Sequence, residues 1–155
     1  MTVEIFVKRV EEFIEKIDKE RYPEMMGFFE NVVIGRYWFD SAYELSSVIY
    51  NCDKKEVLPE PVAQLLIDIY NDEIEIDNHD AMCDFGSLYY TGRIGEQNYE
   101  KAFYYYEMSA KLGNRQAQEN LGYCWYYGRT GKVDYEKAYH YFIKGALDNH
   151  LTSLY

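Results

Sequence analysis

Residues 81–116 and 117–152 repeat one pattern, with 12 identities in 36 positions. A shift of 36 residues lays Ala81 on Ala117, Gly86 on Gly122, Tyr90 on Tyr126, Gly92-Arg93 on Gly128-Arg129 and Gly95 on Gly131. Tyr99-Glu100-Lys101-Ala102 falls on Tyr135-Glu136-Lys137-Ala138, Tyr105 on Tyr141, and Ala110 on Ala146. Phe85/Leu121, Tyr89/Trp125 and Tyr106/Phe142 differ only mildly. A fixed period of this length is the mark of a stacked array, in which each unit buries its apolar face against the next.

Each unit reads as two helices. Ala81, Phe85 and Tyr89 recur every four residues and mark the buried face of a short first helix. It ends at Gly92, where glycine tolerates the left-handed conformation of a helix C-terminus. A G-x-x-G loop follows, and Asn98 or Asp134 stands where an N-cap belongs. The second helix buries Ala102, Tyr105, Tyr106, Ser109 and Ala110 and stops near Gly113. Ala138, Tyr141, Phe142, Gly145 and Ala146 play those parts in the next copy. Small residues let helices approach closely, and aromatic rings fill the space between units.

The pattern A-x-x-x-[LF]-G-x-x-[YW]-x-x-G-x-x-G, then [ND]-Y-E-K-A-x-x-[YW]-[YF], then [SG]-A, resembles the Sel-one-like repeat family, a relative of the tetratricopeptide repeat. The resemblance implies an all-α, right-handed α-solenoid of antiparallel helix pairs that serves as a protein-interaction scaffold without enzymatic activity. Cysteine-rich relatives linked to β-lactam binding carry paired cysteines in each repeat. Those pairs are missing here, so that property is not implied.

A worn third unit is expected over 41–80. Ala42, Ser46, Ser47 and Tyr50 match Ala81, Phe85, Gly86 and Tyr89 at a shift of 39, as Ala63 matches Ala102. The step from first to second small residue is 21 in all three units, so the extra residues fall in the connector "NDEIEIDNHD". Pro59 and Pro61 open its second helix, as proline does in a first turn. Upstream, 1–40 reads as an N-terminal helical cap or degenerate repeat. Ile5, Phe6, Val10, Phe13, Ile14 and Ile17 share one face of a first helix over residues 2–20, Pro23 interrupts, and a second runs from Glu24 to Trp38. Residues 153–155 stand at the start of a truncated unit, and the whole of 1–155 reads as one solenoid domain.

Composition narrows the function. Hydrophobic residues at 48% exclude a disordered chain. There is no apolar run long enough for a membrane span, and the opening "MTVEIFVKRVEEFIEK" interleaves charges where a signal peptide would be apolar. Three separated cysteines, Cys52, Cys83 and Cys124, suit reduced thiols; a cytoplasmic location is expected. A net charge of −11 repels nucleic-acid phosphates and anionic lipid, and suits either a solvated acidic surface or a partner with a basic face.

Local motifs for chemistry fail on their own requirements. "YYGRTGKV" has Tyr126 and Val133 where a phosphate loop needs Gly and Ser or Thr. "IDNHDAMCD" gathers Asp77, His79, Asp80, Cys83 and Asp84, but offers one His and one Cys where zinc commonly takes several; Asp80 reads as an N-cap instead. His79, His140 and His150 occupy different repeat positions and define no triad. No catalytic residue, metal ligand or cofactor is therefore expected.

The expected contact surface lies opposite Ala81, Phe85 and Tyr89 on the first helices. It comprises Cys83, Ser87 and Tyr90 in one unit, then Glu119, Tyr123 and Tyr126 in the next, flanked by Asp84 and Asn120. The resemblance implies that first helices line a groove. The tyrosines either anchor a protein or peptide, being large, rigid and amphipathic, or pack on the adjacent unit. The alternatives are a homodimer formed through an exposed array end, and a hydrolase or small-ligand binder with its site in the N-terminal half.

Overall fold

The computed structural model describes residues 2–33 and 57–153. Its regular structure, among the described residues, is helical: α1 (Val3–Ile14), α2 (Pro23–Val33), α3 (Glu60–Glu75), α4 (His79–Thr91), α5 (Tyr99–Lys111), α6 (Arg115–Tyr126) and α7 (Tyr135–Ser153). The residues matched to the first helix of the worn unit, Ala42 to Tyr50, and the end expected at Trp38 lie outside the described residues.

The four C-terminal helices begin in one way. Asn78, Asn98, Asn114 and Asp134 each accept a hydrogen bond on a side-chain oxygen from the N–H three residues on: Ala81 (3.1 Å), Lys101 (2.9 Å), Ala117 (2.8 Å) and Lys137 (3.0 Å). Each bond satisfies one of the donors that a helix start leaves unpaired. Asp80 is therefore not the cap expected of it; it lies in the first turn of α4, two residues past Asn78. The endings also follow the sequence. Gly92 adopts φ 74° after α4, and Gly113 adopts φ 90° after α5. The residue at the Gly113 position in the next copy is Asn149, and α7 runs on to Ser153.

The chain separates into two compact units. Residues 1–76 with 93–95 form the first, and residues 77–92 with 96–155 form the second. In the first unit, Phe6, Val10, Met25, Phe29, Leu65 and Tyr70 are buried. Arg9 pairs with Asp68 at 2.6 Å, tying α1 to α3. Pro59 precedes the first residue of α3 and Pro61 occupies its first turn, as the sequence predicts. The first helix, expected over 2–20, ends at Ile14, and Ile5 is 53% exposed, not buried with Phe6 and Val10. It stands about 100° around the helix from Phe6, outside the narrow stripe that α1 buries.

In the second unit α4 packs on α5, α5 on α6, and α6 on α7. Cys83, Ala102, Tyr106, Ala110, Ala117, Leu121 and Cys124 form a core that runs through both repeats. Gly86 is buried because the Tyr106 ring lies where its side chain would be: a Cβ there would sit 2.8 Å from two ring carbons. Gly122 faces Phe142 in the same way, at 2.5 Å. The loops close alike as well, with Asn98 N–H donating to the Tyr89 carbonyl (2.9 Å) and Asp134 N–H to that of Trp125 (3.0 Å). Phe85, Tyr89 and Tyr105 pack together beside this core, with ring centroids 4.5–5.9 Å apart.

Candidate interaction face

The residues expected to form one contact surface divide between three environments. Tyr123 and Tyr126, at 50% and 46% exposure, are open to solvent near the C-terminal end of α6. Tyr127, 56% exposed, joins them. It stacks on Tyr123 at 6.3 Å and meets Tyr126 edge-on at 5.0 Å. Phe142 of α7 packs edge-on against Tyr123 at 5.0 Å. These four rings line a shallow, open depression of about 370 Å³. The three tyrosine hydroxyls can hydrogen-bond polar groups, while the ring faces offer apolar or cation contact.

Asp84 and Asn120 belong to a half-buried seam where α4 meets α6. Asn120 Nδ2 donates to Cys83 Sγ at 3.7 Å, and Gln116 Nε2 donates to Asn120 Oδ1 at 3.1 Å. Cys83 is buried here, not on the open side of α4. Burial, reinforced by the charges of Asp84 and Asp80, pushes its thiol up to about 12. Burial and then the Asp80 charge push the Asp84 carboxyl up to about 7, and its Oδ2 has no protein hydrogen-bond partner. At the N-terminal end of the same seam, Asn114 Nδ2 donates to Asp80 Oδ1 at 2.9 Å and lies 3.0 Å from His79 Nδ1.

Ser87 and Tyr90 hydrogen-bond inside and between the repeats, and Glu119 is partly covered. Ser87 Oγ donates to the Cys83 carbonyl at 3.2 Å and shares a hydrogen bond with Tyr106 Oη at 3.0 Å. Glu119 is half-buried where α6 approaches Gly145 of α7. Tyr90 receives the Nε–H of Arg129 on its hydroxyl at 3.2 Å and packs against Tyr99 at 5.0 Å. Arg129 is a residue that reading the chain alone missed. Its guanidinium lies 5.1 Å from the Tyr99 ring, 5.5 Å from Tyr127 and 6.0 Å from Tyr90. Tyr99 and Tyr135, placed identically after their N-caps, carried the available signal; the 39-residue step from Tyr90 to Arg129 is visible only in three dimensions.

Metal chemistry finds no seat among the described residues: no three His, Cys, Asp or Glu side chains converge as a metal would require. No helix of the described residues is long and apolar enough to cross a membrane.

The family model described as Sel1 repeat matches residues 26–47, 79–114 and 115–150. The chain belongs to the Sel1 repeat family. The second and third Sel1 segments coincide with the two units that share caps, glycines and loop closures, and the first begins in α2. The chain is also similar to a solved protein, described as "Crystal structure of Sel1 repeat protein from Oxalobacter formigenes", at 18% identity and a TM-score of 0.57. That match covers 95% of this chain and 58% of the other. At such identity the likeness carries the fold, an all-α helical repeat of the solenoid class. No curated protein matches this sequence. Sel1 repeats are commonly protein–protein interaction modules.

Proposed function

We propose that this Sel1 repeat chain is a non-enzymatic scaffold that binds a protein or peptide on its tyrosine-rich face. The observation that carries the reading is the cluster of Tyr123, Tyr126 and Tyr127, each roughly half exposed, around one depression. Rigid aromatic side chains lose little conformational entropy on binding and supply much of the energy of protein interfaces. A net charge of −11 favours a partner that carries Lys or Arg. Asp84 and Asn120 are the proposed polar flank of this surface. The buried, unpaired thiols Cys83 and Cys124 accord with a reducing compartment, the cytoplasm being the proposed location.

The test is affinity capture from lysate with the wild type and a Tyr123→Ala/Tyr126→Ala variant, circular dichroism confirming equal helicity. The expected result is a protein retained by the wild type, lost by the variant and released by added salt. Equal retention by both proteins would remove this face from the function.

A further inference from the structure

The two repeats present the same pair of tyrosines, and among the described residues only the first pair carries a cation. Tyr90 and Tyr99 pack with ring centroids 5.0 Å apart and planes inclined at 58°. Tyr126 and Tyr135, their equivalents 36 residues on, pack at 5.3 Å and 55°. The first pair is filled by Arg129 from the loop of the following repeat, whose guanidinium lies over both rings and donates to the Tyr90 hydroxyl. Among the described residues no Lys or Arg lies over Tyr126 or Tyr135. Tyr135 is 64% exposed. It stands between Asp134 and Glu136, where Tyr99 stands between Asn98 and Glu100, so the second pair has one more carboxylate beside it in sequence. Lys137, next along α7, is engaged over the Trp125 ring at 4.2 Å.

We infer that the Tyr126–Tyr135 pair is a seat for the guanidinium of an arginine in an exposed segment of a partner protein. This inference rests on the reading that the face receives a partner. The molecule contains its own example of the occupant: the same two rings at nearly the same separation and tilt already hold an arginine one repeat earlier. Arginine is preferred to lysine because its planar, weakly hydrated group stacks on a ring face while still donating to a hydroxyl.

The test uses the full 155-residue chain with ¹³C-labelled tyrosine rings, titrated with N-acetyl-arginine methylamide and, separately, with the lysine analogue. Saturable shifts are expected at Tyr126 and Tyr135 and not at Tyr90 and Tyr99, with the lysine analogue about two- to fivefold weaker. Tyr135→Ala should abolish the saturable shift at Tyr126. Arg129→Ala should empty the first pair, so that Tyr90 and Tyr99 now respond as a second seat. No saturable shift at Tyr126 and Tyr135, an equal response to lysine, or a response unchanged by Tyr135→Ala in a protein of native helicity overturns the arginine seat. If a captured partner is lost with Tyr123→Ala/Tyr126→Ala and kept by Tyr135→Ala, the scaffold reading stands and the arginine seat falls. A sedimentation dimer dissolved by Tyr135→Ala would assign the seat to a second copy and overturn the partner assignment.

Discussion

The same substitution should have opposite signs at two helical glycines. Alanine is favoured over glycine in a helix interior by about 1 kcal/mol. At Gly27 in α2 a Cβ would meet nothing within 4 Å, so Gly27→Ala should stabilise its unit by about 0.5–1 kcal/mol. At Gly86 the Cβ would lie 2.8 Å from Tyr106 Cδ1 and Cε1 and 3.1 Å from the Ala102 carbonyl oxygen. Ordinary carbon contacts lie near 3.5–4.0 Å, so the ring or the helix must move. The ring has little room, since Tyr106 is buried and its hydroxyl is bonded to Ser87. Overpacking of this kind costs about 1–3 kcal/mol. With the upper part of that range set against the helix gain, Gly86→Ala should lose about 1–2 kcal/mol. Urea denaturation followed by circular dichroism gives the sign, and hydrogen exchange on α1–α2 and α4–α7 peptides assigns each change to its own unit. In a Tyr106→Leu background the Gly86→Ala penalty should shrink or reverse, because the obstructing ring is gone. A Gly86→Ala protein as stable as the wild type, or an undiminished penalty without the ring, would refute the close-approach argument.

Three further outcomes follow from the seam and the core. The folded carboxyl of Asp84, held at about 7, lies above its unfolded value near 3.9, so its contribution to stability is full below pH 4 and is lost as pH rises through 7. Asp84→Asn should therefore flatten the decline over that window, by an amount on the order of 2 kcal/mol after discounting for partial exposure, measured as the wild-type minus variant difference in urea midpoint across pH. Asn114→Ala removes the cap of α6 and the bonds to Asp80 and His79 together, and should cost about 2–3 kcal/mol in thermal or urea melts. Cys83 and Cys124, with thiols raised to about 12 and about 11 mainly by burial, should react slowly with iodoacetamide at pH 8 and rapidly in denaturant, as peptide mass mapping would record.

Much of this architecture is legible in the chain because the repeat states it twice. The shift of 36 residues alone pairs Gly86 with Gly122, Asn98 with Asp134 and the two loop closures. The same shift also pairs Asn78 with Asn114, which identifies the first-helix caps, whereas Asp80 falls on Gln116, which cannot mark a shared cap position. The contact surface was less legible. A two-sided reading of α4 puts Cys83 and Ser87 opposite the buried stripe. Yet Ala81, Met82, Cys83, Phe85, Gly86 and Leu88 are all buried, because the first helix of a stacked unit touches both its own second helix and the first helix of the next. A wheel built for a surface helix has one apolar face; a helix inside a stack has nearly none that is free. Tyr127 was missed because its counterpart is Thr91, so periodicity gives it no weight.

Asn114 has a consequence beyond its own bonds. One side-chain oxygen starts α6 while the amide nitrogen of the same group holds the first turn of α4. The event that nucleates one repeat is thus chemically joined to the integrity of its predecessor. In a linear array such a link belongs to the nearest-neighbour term, the quantity that decides whether repeats melt one at a time or together. A residue with both duties adds to the term that ties the stability of α6 to that of α4.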